Sequence, residues 1–280
     1  MRVIDGQEIM DKLATAIITA NTQLPPDVMR AIRAAIEIET LPRAKNILQI
    51  ILENAHIAET EKVALCQDTG MVVIDVEIGQ DVNIRGGNLE DILNEGVRRG
   101  YKAGYLRNSV VNDPILRINT LDNTPAIIHY KIVSGDKVKL TLFPKGAGSE
   151  NVGQLSMLNP LDGLEGVKFF VLKTVREAGA NPCPPIIVGV GIGGNMEKAT
   201  LLAKRALLRP LDIRSKLPYL AEFELDLLNE INNLGIGPQG LGGKTTALGV
   251  NIEAFATHIA SLPVAVNIGC HSTRRIVVEF

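Results

Sequence analysis

Apolar residues recur at helical spacing along the first 60 residues of the chain. Three segments show this spacing, at residues 9–18, 29–36 and, after Pro42, 47–55. Apolar positions three and four residues apart form one face of an amphipathic helix. The pattern therefore predicts a helical amino-terminal part, residues 1–60, which serves as core and scaffold.

From residue 61 onward, strands, glycine turns and helices alternate. Apolar runs rich in β-branched residues predict strands at 71–78, 126–133, 137–143, 186–190, 264–268 and 276–279. Helical spacing predicts helices at 89–105, 162–178, 195–208 and 220–234. The strands on either side of Ser134-Gly135-Asp136 are expected to pair as a hairpin.

The predicted elements favour one α+β domain over residues 1–280. Its helical part covers residues 1–60, and a mixed part with at least one mixed sheet covers residues 61–280. The sequence contains no internal repeat, no low-complexity tract and no linker between these parts. Helices and strands are therefore expected to share one core.

Composition and charge exclude several classes of protein. The 280 residues carry 29 Lys and Arg against 31 Asp and Glu, a net charge of -2. Nucleic-acid binding depends on clustered basic residues, and the chain has no such run. It also lacks an apolar stretch of the roughly 18 residues that a membrane span needs, and its charged start is unlike a signal peptide. We expect a soluble cytoplasmic protein with neither nucleic acid nor membrane as a partner.

The chain has three cysteines, Cys66, Cys183 and Cys270, far apart in sequence. An odd number at these separations is neither a disulfide framework nor a CxxC zinc or redox motif. In a reducing cytosol the default interpretation is three buried apolar thiols.

The residues that flank the cysteines favour a different interpretation. The three sequences are CQDTG, NPCPP and NIGCHSTRR, each at a junction between a loop and a strand, where distant side chains can converge. Structural zinc normally has four ligands in local pairs. Three isolated thiolates suit an iron-sulfur cluster with one iron open to substrate, and that iron is a Lewis acid suited to hydro-lyase chemistry. Buried structural thiols in a non-catalytic subunit remain an alternative.

Two glycine-rich segments resemble nucleotide-binding motifs. Gly189, Gly191 and Gly194 have the GxGxxG spacing, but no second strand with a ribose-binding acid follows the next helix. The segment GPQGLGGKTT around Lys244 has Pro238 where a P-loop requires its first glycine, and a helical pattern precedes it. A nucleotide-binding enzyme is kept as an alternative of a different class.

Six motifs in one order resemble a known family over nearly the whole chain. They are CQDTG at 66–70, LRNSVVNDP at 106–114, KGAGSEN at 145–151, CPPIIVGVGIGGN at 183–195, GIGPQGLGGKT at 235–245 and the segment 258–270. Together they resemble the alpha subunit of class I, iron-sulfur-dependent fumarate hydratase and the related alpha subunit of L-tartrate dehydratase. In single-chain relatives a second region follows. A chain that ends at Phe280 is therefore expected to work with a separate beta subunit, in a higher oligomer such as alpha2beta2.

The resemblance implies a role for each matching residue. A 4Fe-4S cluster would be ligated by Cys66, Cys183 and Cys270. The dicarboxylate substrate would be contacted by Gln67, Asp68, Arg107, Gly148 and His258. Asp68 and His258 are the catalytic candidates, and the Arg107 guanidinium matches a carboxylate bidentately. The alternatives are a turn or helix cap for Asp68, a surface cation for Arg107 and a packed histidine for His258.

The implied reaction is reversible hydration of fumarate to (S)-malate, a step of the tricarboxylic acid cycle. The base that removes the C3 proton would act beside an open iron that holds the C2 hydroxyl. Dehydration of L(+)-tartrate is the runner-up, because the same groups would bind a substrate with one more hydroxyl. The sequence does not separate the two substrates.

Overall fold

A computed structural model describes all 280 residues, and the chain divides into two compact units. The first unit contains Met1–Pro25, Ala55–Ala147 and Arg274–Phe280, and the second contains Pro26–Asn54 and Gly148–Thr273. Each unit packs helices against a four-stranded sheet. The predicted α+β class is confirmed.

The elements follow the predicted order with some additions. The helices are α1 (Gly6–Thr22), α2 (Pro26–Ile38), α3 (Pro42–Glu61), α4 (Leu89–Ala103), α5 (Ala147–Glu150), α6 (Gly163–Ala178), α7 (Met196–Ala206) and α8 (Pro218–Asn233). The strands are β1 (Arg2–Asp5), β2 (Met71–Gly79), β3 (Val82–Arg85), β4 (Ile127–Val133), β5 (Val138–Lys145), β6 (Gln154–Leu158), β7 (Ile186–Gly193), β8 (Ala247–Phe255), β9 (Leu262–Gly269) and β10 (Ile276–Glu279). None of the helices is both long enough and apolar enough to cross a bilayer.

The first 60 residues do not form one structural part, unlike the predicted division. The helix α1 packs against α4 in the first unit, whereas α2 packs against β8 in the second. The buried Asp27 of α2 accepts a hydrogen bond from the Leu211 backbone N–H at 2.9 Å. Helical periodicity shows which face of a helix is apolar but not which sheet covers that face.

The sheet of the first unit has the strand order β10-β5-β2-β4. The predicted hairpin is therefore wrong, because β2 lies between β4 and β5, parallel to the first and antiparallel to the second. The central position suits β2, whose Val72, Ile74 and Val76 are fully buried. The turn at 134–136 spans the end of β2, where the Asp81 N–H donates to the Gly135 carbonyl at 3.0 Å.

The core of the first unit lies between this sheet and the pair α1 and α4. Two glycines of α4 bring the helices close, since a Cβ on Gly96 or Gly100 would press on Leu13 or on Ile17 and the Ala14 carbonyl. The main buried side chains are Ile9, Leu13, Ile17, Ile74, Leu93, Val97, Tyr101, Leu140 and Leu142. This core anchors the loops that follow α3 and α4.

The sheet of the second unit has the order β6-β9-β7-β8, with α6 and α8 on one face and α7 on the other. Successive residues of β7 point to opposite faces. Ile186, Val188 and Val190 join the core under α6 and α8. A Cβ on Gly189 or Gly191 would collide with backbone carbonyls of α7. Two glycines of the GxGxxG match therefore allow close helix packing.

The GLGGKTT segment also has a packing role. The Lys244 N–H donates to Glu39 Oε2 at 2.7 Å, and a Cβ on Gly243 would press on Ala44. Glu39 Oε1 accepts from the N–H groups of Thr40 and Leu41, both at 2.9 Å. The segment is therefore fastened to the junction of α2 and α3.

A buried carboxylate ties α8 to the edge strand β8. Glu224 is fully buried and pairs with Arg209. Its oxygens also accept from the backbone N–H of Ile252 at 2.9 Å and of Ser215 at 3.2 Å. A buried charge is tolerated only when it is paired and hydrogen-bonded in this way.

Candidate active site

Two buried side chains hold the loop Cys66–Gly70 of the first unit in place. The Tyr101 hydroxyl donates to the Thr69 carbonyl at 2.8 Å, and Asn123 Nδ2 donates to the Gly70 carbonyl at 3.1 Å. Gly70 has a positive φ, and a Cβ there would collide with the backbone of Lys145. Thr69 and Gly70 are buried, whereas Gln67 is exposed. The fixed loop thus presents its polar side chains outward.

The carboxylate of Asp68 is oriented by two backbone N–H groups. Oδ1 accepts from Gly70 at 3.1 Å, and Oδ2 accepts from Ala147 at 2.8 Å. The guanidinium Nη2 of Arg107 lies 3.9 Å from Oδ1. Thr69 Oγ1 donates to the Arg107 carbonyl at 2.6 Å, which fixes the backbone of Arg107 to the same loop. Asp68 and Arg107 thus place a negative and a positive side chain next to each other.

Arg107 differs from a buried structural arginine in its exposure. Its side chain is 58% exposed, whereas that of Asp68 is 26% exposed. At 3.9 Å and with this exposure, the ion pair stabilises the fold by less than about 1 kcal/mol. The Arg107 fork can therefore turn to an incoming carboxylate at small cost.

A second arginine of the first unit lies behind this loop. Arg274 is buried, and its Nη1 donates to Asn21 Oδ1 at 3.0 Å. A Cβ built on Gly146 would lie 3.0 Å from Asp68 Oδ2 and 3.5 Å from Arg274 Nη2. The glycine lets the Asp68 carboxylate and the Arg274 guanidinium approach the same turn, so this buried cation adds to the positive field at Asp68.

We expect Tyr101 to make stability depend on alkaline pH. Burial raises the pKa of its hydroxyl to about 12, well above that of an exposed tyrosine. Between about pH 10 and pH 12 the unfolded chain ionises this group while the folded chain keeps it protonated, so the free energy of unfolding falls as pH rises. Denaturant unfolding at about pH 9 and about pH 11 measures the change.

Tyr101→Phe is the control for that prediction. The variant loses one buried hydrogen bond, worth about 1 kcal/mol at neutral pH, but has no group to ionise at this position. Its alkaline loss of stability should be smaller than that of the wild type. Equal losses in the two proteins would show that Tyr101 does not carry the effect.

In the second unit, Cys183 and Cys270 lie at the same end of the sheet. Cys183 comes three residues before β7, and Cys270 directly follows β9, whose Gly269 pairs with Ile187 of β7. Cys183 is exposed and Cys270 is half-buried. Cys183 has a φ of 53°, which turns the chain sharply before the two following prolines. The structure therefore brings these two loops together.

His271 joins the two cysteine loops. Its Nδ1 lies 2.9 Å from the Cys183 carbonyl, which can only accept, so Nδ1 carries the hydrogen. Burial lowers the pKa of the imidazole, so the ring is neutral at pH 7. The side-chain amide of Gln239 donates to the Pro184 carbonyl at 2.9 Å beside it. These bonds fix the backbone at Cys183.

Gly148 belongs to the second unit and lies near the Cys183 loop. It is exposed, and a Cβ at this position would be 3.6 Å from the Asn181 carbonyl. The boundary between the units falls between Ala147 and Gly148, within α5. The residue whose N–H binds Asp68 is thus the direct chain neighbour of Gly148.

His258 does not lie with the cysteines of its own chain. It is exposed in the loop between β8 and β9, beyond Phe255, which pairs with Gly193 at the carboxyl end of β7. Cys270 lies at the amino end of β7 instead. The strand β9 separates His258 from Cys270, and the two ends of β7 are roughly 20 Å apart. Within this unit His258 and Cys270 therefore lie towards opposite ends of the sheet, and the expected contact of His258 with cluster and substrate stays a prediction.

The cysteines have the donor chemistry of an iron-sulfur site. All three are loop residues with at least partial exposure, and thiolates are the ligands of such clusters. No group of three or more His, Cys, Asp and Glu side chains is arranged to hold a single metal ion.

Several positioning residues were not found from the sequence. Tyr101 occupies an apolar position of α4 and is typical of a core residue, and Asn123 lies in a polar loop without a motif. Gln239 lies inside GPQGLGG, whose glycines resemble a phosphate-binding loop and gave no sign of a role for the glutamine. The one sequence signal for this loop is Asp-Thr-Gly, which is typical of a turn.

Comparison with known proteins shows similarity over both units. The family model described as fumarate hydratase (Fumerase) matches residues 10–279. The chain is 42% identical over 276 residues to a putative L(+)-tartrate dehydratase subunit alpha of Methanocaldococcus jannaschii, which covers 96% of each chain. It is 35% identical over 265 residues to the L(+)-tartrate dehydratase subunit alpha of Escherichia coli K12, covering 93% of this chain and 86% of that protein. The family resemblance found in the motifs is confirmed.

Proposed function

The chain belongs to the fumarate hydratase (Fumerase) family, and from this premise we propose that it is the alpha subunit of a hydro-lyase that hydrates fumarate to (S)-malate. The observation that carries the proposal is the pairing of Asp68, on the fixed Cys66–Gly70 loop, with Arg107, whose Nη2 lies 3.9 Å from Asp68 Oδ1. One is a proton acceptor and the other a carboxylate binder, which are the two groups that this reaction needs.

Four residues have a defined task in this proposal. Arg107 binds one carboxylate of the substrate through its two N–H groups. Asp68 is placed to accept a proton, because each oxygen accepts one backbone hydrogen bond and keeps a further lone pair. The exposed amide of Gln67 orients the substrate, and the Gly148 N–H donates to the same dianion.

We assign Cys66, Cys183 and Cys270 as ligands of a 4Fe-4S cluster. When bound, such a cluster offers one iron without a protein ligand as a Lewis acid for a hydroxyl group. The hydrogen bonds of His271 to the Cys183 carbonyl and of Thr273 to the Cys270 carbonyl hold two of the ligand loops in place.

A beta subunit would complete the site. The relatives carry the name subunit alpha, and Arg107 is the one side-chain cation assigned here to a substrate with two carboxylates. We propose an alpha2beta2 assembly in the cytoplasm, where reducing conditions keep the thiols available to the cluster. Any role of His258 in this chemistry would require a second copy of the chain, because of its distance from the cysteines.

L(+)-tartrate is the second candidate substrate, and the names of the relatives favour it. Tartrate has the same two carboxylates as malate and one additional hydroxyl. Arg107 and Asp68 would serve it in the same way. Discrimination between tartrate and malate would depend on whether the site offers a hydrogen-bond donor or acceptor to that additional hydroxyl.

Anaerobic co-expression with the beta chain tests the proposal. The purified complex should hydrate fumarate, and a parallel assay with L(+)-tartrate ranks the two substrates. We expect the alpha chain alone, with a reconstituted cluster, to be inactive, and the complex to lose activity in air as its open iron is oxidised and lost. A fully active alpha chain would contradict the division between subunits, and an air-stable activity would contradict the cluster.

A further inference from the structure

A cavity in the second unit is lined by residues that the proposed chemistry does not use. It lies between the carboxyl end of β8 and the beginning of α8. Its polar lining comes from Arg209, Arg214, Ser215, Lys216 and Glu253. Because β8 pairs with β7 along its whole length, this end is roughly 20 Å from the cysteine loops.

The charges around this cavity do not balance. Arg209 is neutralised twice, by Glu224 and by Glu253 at 3.1 Å. Arg214 and Lys216 have no acidic partner, so the lining keeps an excess of positive charge. The nearby Asp212 does not compensate, because it pairs with Arg30.

The guanidinium of Arg214 is the strongest indication of a ligand. Its Nη1 is inaccessible to solvent and has no hydrogen-bond acceptor. An unsatisfied buried donor costs about 1–3 kcal/mol, and more when it is charged. Arg214 lines the cavity, so a turn of its half-buried side chain would bring this donor to an oxyanion there and neutralise its charge.

The beginning of α8 adds to the positive field. The helix has 16 residues, and Leu217 at its N-cap provides no side-chain acceptor. Its first turn contains no acidic residue. The first N–H groups of a helix carry a partial positive charge, which favours an anion in the adjoining cavity.

The remaining lining is apolar and comes from Ile213, Leu217, Leu220, Ile252 and Ala254. Contact with such an apolar surface adds no binding free energy for an inorganic anion, whereas it stabilises a bound hydrocarbon chain. We propose that the cavity binds a small organic monocarboxylate, with its carboxylate on Arg214 and Lys216 and its short carbon chain on the apolar wall. Its lining shares no residue with the Asp68 loop, and it lies at the opposite end of the sheet from Cys183 and Cys270.

Titration of the full chain with ¹³C-labelled butyrate, followed by NMR, tests this site. The change in the butyrate ¹³C signal should saturate as the butyrate concentration rises. Arg214→Gln should weaken binding about tenfold, the equivalent of one charge-assisted hydrogen bond. Arg176→Gln is the matched control, because Arg176 is exposed on α6 and away from the cavity; it should bind butyrate as the wild type does.

Four outcomes would overturn the proposal. The first is no saturable binding to a wild-type chain that is folded by circular dichroism. The second is equal affinity in the wild type and Arg214→Gln. The third is loss of butyrate binding in Arg107→Gln, which would place the ligand at the Asp68 loop. Inorganic phosphate is the comparison anion, and binding as tight as that of butyrate would contradict a site built for a carbon chain.

Discussion

Asp68→Asn is expected to lower kcat by about 10²- to 10⁴-fold in the assembled enzyme, the range for loss of a general acid or base. An amide has the shape of the carboxylate but cannot take up a proton at neutral pH. The introduced amide keeps one carbonyl oxygen for one of the two backbone N–H groups that now bind Asp68. The loss of the other bond should cost only about 1 kcal/mol of stability. Initial rates with fumarate and with L(+)-tartrate measure the effect.

Two controls separate chemistry from structure in this variant. Asp136→Asn makes the same change in an exposed turn of the same unit and should leave kcat unchanged. Iron content and the visible absorbance of Asp68→Asn should match those of the wild type. If the variant kept more than a tenth of the wild-type kcat, Asp68 would not be the proton acceptor.

Glu224→Ala is expected to lower the free energy of unfolding by about 3–5 kcal/mol, because it leaves the Arg209 charge with one partner instead of two in a mostly buried setting. The backbone N–H groups of Ile252 and Ser215 also lose their acceptor. The melting temperature should fall by on the order of 10 °C for a chain of this size.

Glu222→Ala is the matched control for this effect. It removes the same side chain from an exposed position on the same helix and should change stability by no more than about 0.5 kcal/mol. Thermal unfolding by circular dichroism compares the three proteins. A shift for Glu224→Ala as small as that of the control would mean that the buried network adds little to stability.

Local sequence predicted the elements well where the periodicity is strong. The predicted helices at 162–178, 195–208 and 220–234 correspond to α6, α7 and α8 within about two residues. The strand β8 was missed. Its residues Ala247–Phe255 contain a glycine and the buried Asn251, which donates to the carbonyls of Ala206 and Arg209. A polar residue satisfied by distant backbone cannot be distinguished from a loop residue by its type.

The candidate site was predictable to the extent that its residues are neighbours in sequence. The Cys66–Gly70 loop, with thiol, amide and carboxylate side by side, is visible in CQDTG. The contact of Asp68 with the Ala147 N–H joins residues 79 positions apart and depends on how β5 ends beside β2. The sequence did not show that His258 and Cys270 lie towards opposite ends of the sheet, because the segment between them includes the strand β9, which spans the sheet.

The sequence alone determined the class of fold, the family and the residues able to do chemistry, since side-chain type and local periodicity are properties of short segments. Tertiary structure decided which strands pair, which sheet covers each amino-terminal helix, and which end of a sheet each loop occupies. It also showed that Gly189 and Gly191 serve helix packing. These outcomes depend on burial and hydrogen bonding between residues far apart in the chain, and local patterns carry little information about such contacts.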